Sequence, residues 1–422
     1  MRLGILRAIA ARASAAGLIV CAVCGGSAPA QEIADPAAGL PVRERDRLGY
    51  EPVGVRLGSF LFYPSLLAGP FYDSNLFATP ANAIDDSGLL MSPRLSAASQ
   101  FSRHALKFEL GADHFRYRRQ RSEDRTDLFA RADGRLDVRR DMVAMASLEA
   151  AHTHEDRASP DSPALAAEPV AANLLSGSAT LNKTFNRFGL SLGTAVAWAD
   201  YEDVDRIGGG VLDQDFRDHV VYSLGGRGTY AWMPGQRVFA DLRANWRRYD
   251  SPGTLAFDSH GFTALAGLEF ALTTLLHGEL GLGYFRQQYD SPTVPDLEGP
   301  SYLANLIWNP TPLMTVTLSG KRQVQDSAGT GAVARIESSF EAVLDYELLR
   351  NLIISPRLRF VHEDYAGLAR TDTLVQPGLK LEYLINRHVA VGAEYVFTTR
   401  ESNLTGIDYD RHQASIHAKA QF

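Results

Sequence analysis

From about residue 59 onward, apolar and polar side chains alternate along the chain in segments broken about every twenty residues by polar or Gly/Pro-rich stretches. Between 237 and 249, Val238, Ala240, Leu242, Ala244 and Trp246 are apolar, and Asp241, Arg243, Asn245 and Arg247 between them are polar; Phe239 and Arg248 depart from the pattern. Between 334 and 346, Ala334, Ile336, Phe340, Ala342 and Leu344 alternate with Arg335, Glu337, Ser339, Glu341 and Asp345, with Ser338 and Val343 as exceptions. The same pattern runs through 106–112, 128–138, 352–360 and 389–397. Successive strand side chains point to opposite faces, so each segment has one apolar and one wet surface.

Soluble sandwiches also alternate, so three further features are needed to choose a membrane barrel. The wet faces carry many charges of both signs, as a water-filled interior requires. The breaks alternate in length. Short ones fall at Phe101-Ser102-Arg103, Phe185-Asn186-Arg187, Met233-Pro234-Gly235, Asn309-Pro310-Thr311 and Asn386-Arg387, and longer ones at 72–87, 156–168, 203–215, 291–298 and 402–408. Outer-membrane barrels have short periplasmic turns and longer outer loops. Last, Ala414, Ile416, Ala418, Ala420 and Phe422 alternate with Gln413, Ser415, His417, Lys419 and Gln421. A final strand closing on a terminal Phe resembles the signal read by the outer-membrane assembly machinery.

These features predict an all-β fold: a transmembrane antiparallel up-and-down β-barrel over 59–422, of about eighteen strands, with sixteen the nearest alternative. An even number puts both termini in the periplasm. After the N-terminal stretch no segment has the eighteen or so consecutive apolar residues of a membrane helix, so a spanning chain must cross as strands. The first thirty residues read as a secretory signal, with Arg2 and Arg7, an apolar stretch over 15–23, and a cleavage site at Ala28-Pro29-Ala30. A lipoprotein signal at Cys21 is the rival, but Val20 stands where that signal needs a small residue. Residues 31–58, polar and Pro-interrupted with the run Arg43-Glu44-Arg45-Asp46-Arg47, read as a periplasmic leader and a candidate plug for a barrel wide enough to hold a channel.

Composition then removes chemistries. Both cysteines, Cys21 and Cys24, leave with the signal, so the mature chain offers neither disulfide nor thiolate ligand. It keeps 39 basic against 49 acidic side chains, a net charge of −10 that makes a poor nucleic-acid binder.

At Tyr72-Asp73-Ser74-Asn75-Leu76-Phe77 the sequence resembles the first outer loop of the outer-membrane barrels called β-barrel porin 2. Agreement continues at Gly54-Val55-Arg56-Leu57-Gly58-Ser59-Phe60, Trp308-Asn309-Pro310-Thr311-Pro312 and Glu347-Leu348-Leu349-Arg350-Asn351, over about 43–422. Such Asn/Asp/Pro motifs are turn chemistry and speak to fold more than to function. Members of that family are often encoded beside exopolysaccharide or capsule genes. The resemblance therefore implies a pore for a polymer, docked to a periplasmic polysaccharide export protein, and brings no catalytic residues.

The remaining motifs have bland readings. His152 and His154 share one strand face, but no third ligand has convincing spacing, so no metal is expected. His260 beside Ser259 and Asp258, or His362 beside Glu363, would suit a barrel hydrolase, yet no nucleophile sits at a strained turn. Gly208-Gly209-Gly210 lacks the Lys-Ser/Thr of a phosphate loop and reads as a flexible outer loop. No enzyme activity and no cofactor are expected. The wet-face residues Asp241, Arg243, Asn245, Arg247, Arg335, Glu337, Glu341, Arg357 and Arg359 are expected to line the lumen. They form either a cross-strand ladder of ion pairs or a field that selects permeants. Tyr63, Tyr72, Tyr284, Tyr289, Tyr302, Tyr395, Trp198, Trp246 and Trp308 are candidates for interfacial girdles, any inward ones for stacking on sugars. A channel exporting polysaccharide is the first reading, with a general diffusion porin or a structural barrel as the alternative and a hydrolase behind both.

Overall fold

A computed structural model of the chain describes residues 40–250, 257–273, 275–292, 294–327, 332 and 334–422. Residues 1–39, with the expected signal, both cysteines and the first part of the expected leader, lie outside the described residues.

Eighteen antiparallel strands form the wall: β1 (Phe60–Asp73), β2 (Asp86–Ser99), β3 (Ala105–Tyr117), β4 (Arg125–Arg139), β5 (Met142–His154), β6 (Ala171–Phe185), β7 (Phe188–Tyr201), β8 (His219–Met233), β9 (Gln236–Tyr249), β10 (Ser259–Thr273), β11 (Leu276–Tyr289), β12 (Leu297–Thr311), β13 (Met314–Asp326), β14 (Ala334–Leu349), β15 (Leu352–Tyr365), β16 (Thr371–Leu384), β17 (Val389–Ser402) and β18 (Tyr409–Gln421). Each pairs with the next in sequence, and β18 pairs back onto β1, from Ser65 opposite Gln421 to Asp73 opposite Gln413. Closure leaves the wall no free edge, which a sheet in lipid cannot have. The short strand Val55–Leu57 joins the same sheet by folding back on Phe60, Leu61 and Phe62.

Burial follows the alternation, with the sides reversed from a soluble protein. On β9 Asp241 and Arg247 are buried while Leu242 and Trp246 are exposed, and on β14 and β15 Arg335, Glu337 and Glu363 are buried while Phe340, Leu358 and Phe360 are exposed. The apolar face points outward. Both exceptions on β9 have reasons: Phe239 faces inward beneath the Arg227 guanidinium, 3.8 Å from its ring centroid, and Arg248 faces outward at the rim toward Asp290 at 3.0 Å.

Connections alternate as expected, with hairpin turns at one end and the long stretches 74–85, 155–170 and 202–218 at the other. One turn moves: β12 continues through Asn309 and Pro310 to Thr311, with a bulge, and reverses at Pro312 and Leu313. Asn309 is not a turn residue because its side-chain oxygen is held inside, accepting from the Thr315 hydroxyl and from Arg45. From residue 40 on, the leader holds a 3-10 turn at Val42–Glu44 besides the short strand.

Candidate functional site: the lumen and its two mouths

All nine sequence-selected residues occupy the inward face. On β9 the Arg243 Nε donates to Asp241 Oδ1 at 2.9 Å, and Arg247 reaches Asp326 at 3.3 Å. Asn245 faces inward between them. Arg335 on β14 pairs with Glu363 on β15 at 2.8 Å, and Arg357 on β15 with Glu394 on β17 at 3.2 Å. Glu341 stands directly opposite Arg359, and Glu337 directly opposite Glu363, a like-charge pair of which Arg335 holds the Glu363 member. Many pairs run along one strand at i,i+2 instead of across it, as in Arg131–Asp133 at 2.9 Å and Lys107–Glu109 at 2.8 Å. This follows from the pleat, which puts i and i+2 on the same face.

The inner wall is chemically divided. On β3 and β4 its alternating positions hold Lys107, Glu109, Asp113, Arg131, Asp133 and Arg135. On β6 and β7 the corresponding positions hold small or uncharged side chains, among them Ser176, Ser178, Thr180 and Ser191; on β8 Ser223 continues them, and Arg227, paired with Glu279 at 2.7 Å, brings charge back.

At the long-loop end the 155–170 segment folds across the barrel mouth, which the sequence reading of it as a plain outer loop did not foresee. Its base is apolar: Ala166 and Val170 pack with Ala172, Ala199, Tyr201 and Val204. Its tip is charged. Asp161 reaches the opposite wall, where it accepts from Arg335 Nη1 at 2.9 Å and from Ser327 Oγ at 3.1 Å. Arg411 on β18 donates to Asp156 at 2.8 Å while also holding Asp73 on β1, and Arg400 on β17 donates to the Ala158 carbonyl at 3.2 Å. Arg217 donates to Glu155 at 2.9 Å, and Arg157 to Glu123 at 2.6 Å and to the Ala166 carbonyl at 3.0 Å. Burial pushes the Asp156 carboxyl up, but Arg411, the Ala158 N–H and Arg125 together hold it below the usual range. Tyrosines surround this layer at the strand ends. Tyr117, Tyr201, Tyr365 and Tyr409 are buried, and Arg217 and Arg370 lie 4.0 and 4.2 Å from the rings of Tyr201 and Tyr365.

At the hairpin end the leader enters the lumen against β12 to β16. The Val42 N–H donates to Thr315 Oγ1 at 2.8 Å, Arg43 reaches Asp345 at 2.6 Å and Glu382 at 3.4 Å, and Arg47 reaches Glu347 at 3.3 Å. Arg45 donates to Asn309 and to the Pro312 carbonyl. Asp345 and Glu347 continue the inward row of β14 that begins at Arg335.

The other motifs resolve locally. His152 bonds Asn173 at 2.9 Å and His154 bonds Asp127 at 2.8 Å, so each ring has its own partner. Ser259 is buried and bonded to Gln287, whereas the exposed His260 faces Asp290; neighbours on a strand look in opposite directions and make no dyad. Likewise Glu363 pairs inward with Arg335 while His362 meets Thr373. Gly208, Gly209 and Gly210 all have positive φ at a loop tip. Asp203, Asp213 and Asp215 approach one another on the exposed 202–218 loop, where Asp203 and Asp213 already accept backbone N–H groups from Gln214 and Asp215. Of the girdle candidates, Tyr72, Tyr284, Tyr395, Trp246 and Trp308 are exposed on the outer face. Tyr63 and Tyr289 face inward instead, Tyr63 against Gly54 and Tyr289 against the Phe257–Val294 cluster.

Residues 48–422 match the family model described as Putative beta-barrel porin 2. The chain belongs to this family. The chain is also similar, at low identity, to several solved outer-membrane proteins. Pseudomonas aeruginosa OpdK with vanillate is 11% identical, with 86% of this chain and 99% of that chain covered and a TM-score of 0.44. A BenF-like porin from Pseudomonas fluorescens Pf-5 is 11% identical, with 86% and 99% covered and a TM-score of 0.45. The siderophore receptor PiuA from Acinetobacter baumannii is 10% identical, with 87% and 82% covered and a TM-score of 0.46. No curated protein matches the chain. This β-barrel porin 2 member is an outer-membrane barrel of the channel type, and its candidate site is the lumen with the segments that enter it from either end.

Proposed function

We propose that this porin passes a polysaccharide across the outer membrane without a covalent step. The observation that carries the reading is the divided lumen: a strip of hydroxyl and small side chains on β6 and β7 gives a sugar chain a surface free of fixed charge. The charges on the other walls are largely paired with one another, which suits a neutral or weakly acidic polymer better than a small ion. In this reading the long loops face outward, both ends of the chain are periplasmic, and the leader plugs the inner mouth until an export partner engages it. Deletion of the gene is expected to abolish surface polymer and leave it inside the cell; unchanged output discards the proposal.

A diffusion porin is the second reading, favoured by the Asp161–Arg335 crossing, which would bar a polymer while passing small solutes around the loop. Conductance of the purified protein in planar bilayers separates the two. A diffusion porin conducts steadily as it stands, whereas a plugged export channel conducts little until residues 31–58 are removed.

A further inference from the structure

On the outward face of β2 to β7, just below the long-loop rim, lies a depression of about 780 Å³ lined by Leu95, Leu110, Ala112, Leu128, Ala130 and Trp198, among others. It exists because Ala112, Ala130 and Ala150 occupy positions of the outer face where neighbouring levels carry leucines. Above it on the same face of β3 come His114 and Arg116, and Arg118 follows at the strand end, all exposed. Two residues of strand separate each of these levels, about 7 Å. Nearby Arg119 is paired with Asp85 at 2.9 Å and Arg121 with Asp124 at 3.5 Å. The side chains of Arg116 and Arg118 have no partner among the described residues.

An acyl-chain-sized apolar groove under two uncompensated guanidiniums is the complement of one kind of molecule. We propose that this sector binds a phosphorylated, multiply acylated lipid, with a chain in the groove and a phosphate on Arg116 and Arg118. Guanidinium forks bind phosphate through two parallel N–H donors, and at the edge of a hydrocarbon layer that contact is less screened than in bulk water. His152, tied to Asn173, adds a polar side chain to the groove on its β5–β6 stretch, level with Leu128 and Ala112.

The test uses the full chain refolded in detergent and titrated, by native mass spectrometry, with diphosphoryl hexa-acyl lipid A, its monophosphoryl form and phosphatidylethanolamine. The wild type is expected to retain the diphosphoryl lipid about tenfold better than phosphatidylethanolamine, with the monophosphoryl form between them. Arg116→Gln with Arg118→Gln removes that preference, Ala130→Trp weakens all three lipids, and Arg248→Gln on another sector changes nothing. Each variant is first shown to be folded by its heat-dependent gel migration. Equal retention of the three lipids by the wild type, or an undiminished preference in the arginine variant, overturns the proposal. So does an oligomer that Ala130→Trp dissociates, since the groove would then seat a second copy.

Discussion

Asp161 and Arg335 meet across the whole width of the barrel, and the meeting joins loop to wall at a buried point. Removing Asp161 leaves Arg335 its Glu363 partner at 2.8 Å, so the loss is smaller than the roughly 3–5 kcal/mol of an unpaired buried charge, but it takes away the ion pair that holds the tip to the far wall. Asp161→Ala is therefore expected to release the 155–170 tip and raise single-channel conductance severalfold, whereas Asp161→Leu combined with Arg335→Met restores part of the closed behaviour. Identical conductance in all three would show that the crossing does not limit flow. Gly69 poses a different single-residue test: a Cβ there would overlap the Ile416 carbonyl oxygen across the β1–β18 seam. Gly69→Leu should cut the yield of folded barrel sharply, measured as the heat-modifiable fraction on gels. Arg335 was legible in the sequence as a wet-face charge because its neighbours set the period. Its partner Asp161 was not, since 174 residues separate them and no local pattern links a loop acid to a distant strand.

The strands and most turns could be read from sequence because a membrane barrel enforces the two-residue period on every segment. Long loops obey no such rule. Glu155, Asp156, Arg157 and Asp161 read as a solvated stretch, yet Arg217 just before β8, Arg411 on β18 and Arg335 on β14 receive the three acids, and Arg157 reaches Glu123. The leader was read as a possible plug, and Arg43, Arg45 and Arg47, merely a charged run in the sequence, are the residues that find acceptors on the wall. Replacing those three with Gln should raise conductance nearly as much as deleting 31–58; if only the deletion has an effect, the leader acts by bulk and not by its arginines. In the 202–218 loop, burial and the nearby Asp200, Asp215 and Asp250 push Asp218 up to about 6, although its oxygen accepts the Tyr201 N–H at 2.7 Å. A carboxyl raised above its unfolded value is bound more tightly by protons in the folded state. This loop therefore gains stability as pH falls from about 7 toward 4 and is penalised above about 6. Hydrogen exchange at Tyr201 should slow across that window, by an amount worth under about 1 kcal/mol once screening is allowed for, and Asp218→Asn should flatten the profile.

For the whole molecule, charge inside and apolar surface outside demand a lipid or detergent surround. The purified chain should need detergent to stay in solution and should migrate faster unboiled than boiled; free solubility with a single band would contradict the barrel. The pairing of β18 with β1 also bears on how such an object can be made. Every other strand finds its neighbour next in sequence, but the last seam joins Ser65 to Gln421 and waits for nearly all the chain to emerge. Long loop closure slows folding, and until that seam forms, two raw edges and a greasy flank are open to any stray polypeptide. Survival in transit thus becomes a matter of escort and timing, with the ring sealed only where lipid is at hand to receive it.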